Sequence, residues 1–511
     1  MKYPIGIQNF ESLRNNGFIY VDKTEIIYNL ANEGHYYFLS RPRRFGKSLL
    51  ISTLEAYFQG KKDLFKGLAM ERLEKEWTVY PVLHLDLNSR AYNSVEALNA
   101  ELSKHLDIWE QQYGDDYKDR ALEERFFHIV KMAYDKTGKP VVILVDEYDK
   151  PLLQTIDNEE LQNEFRATLK AFYSVLKTQD AYIRFALLTG VTKFSKVSVF
   201  SDLNNLEDIS MTRSSANICG ITETELHEQF DAQVGEMAEE NDITKEECYA
   251  QLKEYYDGYH FRPNSEGIYN PFSLLNAFKN LEFGSYWFAT GTPTFLITLL
   301  KNNDYPLEDL SRQEATFEVL SNVDSIKTSP VGILYQSGYL TIKDFDKEFK
   351  LYKLGFPNKE VEEGFTNNLK DFYLPTRSSD FSVDKFVNDV RGGDVDSFLK
   401  RLQAFLADSS YQVAGKKELY FQNTFFIIFK MMGFYTQIER TTSNGRIDVT
   451  IQTPNYIYII ELKLDGSAED ALQQINEKQY ALPFQKDERK LYKIGINFSS
   501  ENRNIDSWKV E

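Results

Sequence analysis

Gly46, Lys47 and Ser48 close the run Arg41-Pro42-Arg43-Arg44-Phe45-Gly46-Lys47-Ser48 and set backbone N–H, an amine and a hydroxyl in consecutive positions. That trio suits a triphosphate. N–H groups at a helix start attract phosphate, a lysine reaches the β- and γ-phosphates, and a serine hydroxyl can ligate Mg2+. The usual pattern G-x-x-x-x-G-K-[ST] has Arg41 where its first glycine belongs. A second pair, Asp146-Glu147, offers one carboxylate to support Mg2+ and another to polarise an attacking water. A third set is Asp448 followed by Glu461 and Lys463. Two hard oxygen ligands suit Mg2+ or Mn2+ there, and the amine can orient or activate water and offset charge on a scissile phosphate. Asp, then Glu-x-Lys, is a minimal core for phosphodiester cleavage.

Elements must bring these groups together. Tyr36-Tyr37-Phe38-Leu39 reads as a short buried strand, and Leu49, Leu50, Thr53, Leu54 and Tyr57 recur at helical spacing, so the loop opens a helix. Val141-Val142-Ile143-Leu144-Val145 reads as a parallel strand buried on both faces. Its carboxylates emerge at the carboxyl edge, where open α/β sheets bind ligands. A third strand, Ile183–Leu188, leads to Thr189 and Thr192, each either a γ-phosphate sensor that hydrogen-bonds the attacking water or a turn former. Arg213 is an arginine finger or an ordinary surface arginine. Near the other end, residues 445–451 alternate, turn at Pro454-Asn455 and continue as residues 456–463. Period-two alternation puts Glu461 and Lys463 on one face, and a hairpin brings Asp448 beside them.

The motifs Asp22-Lys23-Thr24, Arg41–Ser48, Val145-Asp146-Glu147-Tyr148-Asp149 and Tyr256-Asp257-Gly258-Tyr259 resemble those of bacterial AAA-ATPase-like proteins. Many of these carry a C-terminal nuclease-like domain of the PD-(D/E)XK superfamily, and the resemblance spans nearly the whole chain. It implies a bacterial source, ATP rather than GTP, and an arginine-started loop in which Arg43 and Arg44 hold phosphate or face a partner. It also implies that Glu418, on a helix through Phe421, Phe425 and Phe429, is the first acidic position of the nuclease core. Gln474 and Tyr480 match polar positions on the helix after Lys463. Together these suggest an α-β-β-β-α-β unit ending at Tyr492–Ile496.

Length and composition frame the rest. The 511 residues suggest three domains, and 42% hydrophobic with 14% aromatic content excludes a disordered chain. Cys219 and Cys248 are the only cysteines, which excludes a disulfide framework and a cysteine-based zinc site. Without an apolar leader or a membrane-length run, a cytoplasmic protein with no membrane partner is expected. The net charge of −18 argues against nonspecific coating of nucleic acid, yet residues 401–511 hold 14 Lys/Arg and 14 Asp/Glu and are neutral. Lys416, Lys417, Arg440 and Arg446 are candidates for a basic patch there.

The expected fold class is α/β: a P-loop NTPase with a parallel sheet (1–225), a helical and winged-helix-like middle region (226–385), and a restriction-endonuclease-like α/β domain (386–511). In the middle, the aromatic cluster at Tyr255, Tyr256, Tyr259 and Phe261 reads as a packed joint, and Asn270 and Asn358 as helix caps. Arg377-Ser378-Ser379-Asp380 reads as the linker and Arg391–Asp394 as a weaker break. The functional expectation is an ATP-binding and ATP-hydrolysing switch, with Mg2+ at Ser48 and Asp146, coupled to a domain with Mg2+ or Mn2+ at Asp448 and Glu461 that acts on DNA or RNA. Two alternatives stay open: a nucleotide-gated scaffold, or a defence or regulatory protein, whose C-terminal domain is a non-cleaving interaction surface and which self-assembles with nucleotide, and a transport or remodelling ATPase that acts on proteins.

Overall fold

The structure is a computed structural model of the 511-residue chain. It describes all residues except 115, 195–204, 289–293, 312, 322, 324–329, 374–381, 409–416, 434–436, 444–445 and 503. At 294, 308, 311, 408, 417–422, 437–443 and 446–448 it describes the backbone alone. The expected linker 377–380 therefore lies outside the described residues, as do the side chains of all four basic-patch candidates. The chain divides into two compact units, one of residues 1–291 with 311–361, the other of residues 292–310 with 362–511. The middle region thus contributes to both.

In the first unit, five parallel strands form one sheet: β1 Tyr36–Ser40, β2 Val82–Asp86, β3 Val141–Asp146, β4 Ile183–Gly190 and the short β5 Glu207–Asp208. Their order is β2-β3-β4-β1-β5, so β4 separates the strand of the phosphate loop from the strand of Asp146. All six residues of β3 are buried, as its apolar run demands. The helix Lys47–Phe58 follows the loop and packs on β2, β3 and β4. The helices Val95–Tyr113, Leu122–Thr137 and Glu159–Tyr173 pack on one another, the second also against β3.

Beyond the sheet, the start of the middle region expected to be helical forms two helices, Glu223–Glu240 and Lys245–Tyr256. Each starts with a capping box, Thr222 with Glu225 and Thr244 with Glu247, which satisfies N–H groups that a helix start leaves unpaired. Asn270 caps Pro271–Asn280 as expected, between β6 Ile221–Thr222 and its antiparallel partner β7 Ile268–Tyr269 on one side and the helix on the other. The winged-helix-like pattern appears as the helix Val331–Gln336 with a sheet of β8 Glu314–Ala315, β9 Thr341–Asp346 and β10 Leu351–Gly355, in the order β8-β10-β9. Asn358 Oδ1 accepts from Val361 N at the start of the helix Lys359–Tyr373.

In the second unit, β11 Gln437–Ser443, β12 Arg446–Gln452, β13 Tyr456–Leu464, β14 Lys490–Ser499 and β15 Asn504–Val510 form a sheet in sequence order. β13 and β14 are parallel, joined through the helix Ala468–Glu477, and the other pairs are antiparallel. The expected α-β-β-β-α-β unit is present with β15 added at its edge. Tyr480 lies past the end of the helix that was expected to carry it, because Ala468–Glu477 stops short of it. The weaker break at Arg391–Asp394 is a turn between helices, with Gly393 in the left-handed conformation at φ 75°. Among the described residues no helix is long and apolar enough to cross a membrane.

Candidate functional site

The phosphate loop runs from the end of β1 into the helix Lys47–Phe58. Gly46 has φ 96°, a left-handed conformation that only glycine adopts freely, and it turns the chain into the helix. Lys47 is buried at 4% exposure. Its amine donates to the carbonyls of Arg41 at 3.1 Å and Pro42 at 3.3 Å and lies 3.4 Å from Glu147 Oε1. The loop is thus closed over its own lysine, a position from which the amine can exchange carbonyl oxygens for phosphate oxygens. Ser48 sits half-buried in the first helical turn, while Arg43 and Arg44 are exposed. Arg44 has φ 69° and its guanidinium stands 4.6 Å over the ring of Phe272.

Across the sheet, Asp146 ends β3 at 4% exposure, and Thr189 on β4 donates to its Oδ1 at 2.7 Å. The Thr189 proton is thereby engaged by a carboxylate, while the hydroxyl oxygen keeps lone pairs that can accept from a water. Thr192 is likewise occupied, donating to Asp149 Oδ2 at 2.6 Å from both N and Oγ1. Asp149 stands in a motif the sequence singles out, but is given no role there. It is fully buried, and desolvation with the nearby Glu147 carboxylate pushes its pKa up to about 6. Glu147 itself adopts φ 53°, a conformation costing about 1–3 kcal/mol that occurs preferentially at functional sites. Arg213 is exposed.

The donors fit a divalent cation. Asp146 Oδ2 takes no hydrogen bond among the described residues, and Ser48 opens the neighbouring helix, so a hard ion could be held between them beside a bound triphosphate. No group of three or more His, Cys, Asp or Glu side chains that would hold a metal unaided occurs among the described residues. Beside the helix start lies a small hollow of about 100 Å3 lined by Gly46, Leu49, Leu50, Val21, Ile221 and Pro271 among others, almost wholly apolar.

The second constellation lies on the hairpin of β12 and β13. The antiparallel register sets position 448 directly opposite Glu461, the pairing that alternation and the Pro454-Asn455 turn led one to expect. The Asp448 and Glu418 side chains lie outside the described residues; the backbone places Glu418 in the first turn of the helix Lys417–Gly433. Glu461 is fully buried. Its Oε1 accepts from Gln474 Nε2 and stands 3.4 Å from Lys463 Nζ, which in turn donates to Gln474 Oε1. Gln474 therefore bridges the carboxylate and the amine, and the helix Ala468–Glu477 holds it there. The Glu461 carboxylate is the hard oxygen donor here, of the kind a hard cation takes, whereas the Lys463 ammonium has no lone pair to ligate and can only offset charge beside it.

The comparisons with known proteins agree with this two-part geometry. A family model described as a predicted AAA-ATPase matches residues 4–200, and one for the PD-(D/E)XK nuclease superfamily matches residues 416–508. A protein of Azotobacter chroococcum mcd 1, described as an uncharacterized protein in vnfD 5'region, is 35% identical over 522 residues, covering all of this chain and 99% of its own length. The chain belongs to the family of predicted AAA-ATPases that carry a C-terminal domain of the PD-(D/E)XK nuclease superfamily.

Proposed function

We propose that this protein is an ATP-hydrolysing switch that governs a metal-dependent nuclease acting on DNA or RNA in the cytoplasm. The observation that carries the reading is Lys47, buried beneath its own loop and reaching Glu147, with Asp146 fixed by Thr189 one strand away. In the first unit, Lys47 and the N–H groups of the loop bind and orient the β- and γ-phosphates. Ser48 and Asp146 would hold Mg2+, which supplies charge neutralisation on the phosphates. Glu147 takes a proton from the attacking water, and its 3.4 Å ion pair with Lys47 gives way as the amine turns to phosphate. In the second unit, Asp448 and Glu461 would hold Mg2+ or Mn2+, which polarises the scissile phosphate. Lys463 orients the water, and Gln474 fixes both Lys463 and Glu461.

Lys47→Ala is expected to abolish ATP turnover, and Glu147→Gln to retain ATP binding while losing turnover; undiminished hydrolysis by the first variant overturns the ATPase reading. Asp448→Ala and Lys463→Ala are expected to remove Mn2+-dependent cleavage of labelled DNA or RNA. A second reading, a nucleotide-gated scaffold that self-assembles without cutting, draws on the full burial of Glu461. Wild-type protein that oligomerises with ATP yet cuts no single- or double-stranded nucleic acid, with Mg2+ or Mn2+, selects it.

A further inference from the structure

A buried arginine occupies the place of the loop's first glycine, and nothing in phosphate chemistry asks for it there. Arg41 is 1% exposed, and burial depresses its pKa. No carboxylate pairs with it among the described residues. Its Nη1 donates to the carbonyls of Ser40 at 2.9 Å and Ser210 at 2.7 Å, its Nη2 to that of Ser215 at 2.9 Å, and its guanidinium lies 3.9 Å over the ring of Phe261. Burying an unpaired charge costs several kcal/mol, of order, unless the surroundings solvate it. Three bonds to backbone carbonyls and an aromatic face offset part of that cost here, with Nε left without a partner, and they tie the end of β1 to the segment after β5 and to the aromatic joint.

The rest of the loop rests on the same platform. Phe45 packs edge-on against Tyr259 at 4.7 Å and Phe261 at 5.5 Å. The Arg43 carbonyl accepts from Trp287 Nε1 at 3.2 Å. Pro42 fits against Gly338 so closely that a Cβ there would stand 2.7 Å from the Pro42 Cβ. The platform is itself fixed: Gly258 has φ 93°, and a Cβ on it would stand 2.2 Å from the Pro357 carbonyl oxygen. The two motifs Arg41–Ser48 and Tyr256–Tyr259, distant in sequence, are therefore one packed object.

We infer that Arg41 and Phe261 form a clamp that positions the phosphate loop, replacing the conformational freedom a first glycine would give with a fixed scaffold. Both are positioning residues: the Arg41 guanidinium is taken up by the carbonyls of Ser40, Ser210 and Ser215 and by the Phe261 ring, Phe261 also packs on Phe45, and each acts through the backbone of residues 41–46. The inference rests on the ATP reading above. It explains why Lys47 finds the Arg41 and Pro42 carbonyls at bonding distance, and it makes nucleotide affinity a property of a side chain two motifs away.

The experiment is a double-mutant cycle of Arg41→Gly, Phe261→Leu and the pair, on the full chain, titrated with ATP and Mg2+ and followed for both Kd and kcat. Arg41→Gly restores the usual loop pattern, so a residue without a positioning role would leave binding intact or tighten it. Each single variant is expected to weaken ATP at least tenfold, with a smaller effect on kcat at saturating ATP, and the double variant to be scarcely weaker than either one. Arg41→Lys, which keeps the charge but not the three carbonyl bonds and the stacked plane, is expected to behave like Arg41→Gly. Unchanged Kd in Arg41→Gly, or strictly additive effects, overturns the clamp. If Arg41→Gly does not fold, Phe261→Leu with Arg41→Lys completes the cycle. A wild-type chain that binds no ATP sinks the ATP reading and the clamp with it, whereas a wild-type chain that binds while the variants match it sinks the clamp alone.

Discussion

Thr189 and Glu360 show how single buried groups set the behaviour of the first unit. The Thr189 hydroxyl fixes Asp146 Oδ1 at 2.7 Å, and so leaves Oδ2 as the oxygen available to a cation. Thr189→Val keeps shape but removes the bond, and is expected to raise the Mg2+ concentration for half-maximal ATP hydrolysis at least tenfold while leaving the fold intact; a Mg2+ titration of turnover checks it. Glu360 is buried, accepts from Ser273 Oγ at 3.0 Å and Trp287 N at 2.8 Å, and has Oε2 without a hydrogen-bond partner. Desolvation pushes its pKa up to about 7, so the native state holds a proton that the unfolded chain has released between roughly pH 4.5 and 7. The stability this group contributes is present below about pH 4.5 and is lost as pH rises through about 7, a change on the order of 3 kcal/mol. Glu360→Gln cannot release the proton. Melting of wild type and variant from pH 5 to pH 8 is expected to show the variant gaining on the wild type as pH rises; parallel curves would refute the assignment.

At the scale of elements, the second site depends on how closely a helix lies on a sheet. Gly495 of β14 is paired with Glu461 of β13, and a Cβ on it would stand 2.3 Å from the Ala468 carbonyl oxygen and 2.6 Å from Leu472 N. Those are backbone atoms, so Gly495→Ala must push the helix Ala468–Glu477 outward, at roughly 1–3 kcal/mol. Gln474 rides on that helix, and its bonds to Glu461 and Lys463 lengthen with it. Cleavage is expected to fall at least tenfold while circular dichroism stays nearly unchanged, and full activity in the variant would show that the Gln474 bridge is dispensable. Much of this was legible in sequence because it is periodic. The apolar run of β3, the helix after the phosphate loop and the alternation around Asp448 and Glu461 all follow from local pattern. The edge strand β2 was not foreseen, since only its alternate residues are buried and its alternation is short. Nor was the task of Arg41. A residue whose partners are carbonyls at Ser210 and Ser215 and a ring at Phe261 leaves no periodic trace.

Over the whole molecule, the decisive feature is that neither unit is a continuous stretch of chain. The second unit recruits residues 292–310, which are separated from the rest of it by some fifty residues belonging to the first. The Asn423 side chain, 3% exposed, makes the tie: Oδ1 accepts from Leu307 N at 2.9 Å and Nδ2 donates to the Tyr305 carbonyl at 3.1 Å. Ile297, Leu300 and Leu307 of the same segment are fully buried. Deleting the segment leaves a buried amide unpaired, at about 1–3 kcal/mol, and opens apolar surface where three aliphatic side chains sat, at about 1.5–3 kcal/mol each. These losses together rival the net stability of a typical domain, about 5–15 kcal/mol. Residues 386–511 alone, the stretch that sequence marks as the nuclease-like domain, are therefore expected to give no cooperative thermal transition. Residues 362–511 joined through a short glycine-serine linker to 292–310 are expected to melt cooperatively. Melting followed by circular dichroism distinguishes the two, and a cooperative transition of equal midpoint in residues 386–511 would show that the recruited segment adds nothing to the fold.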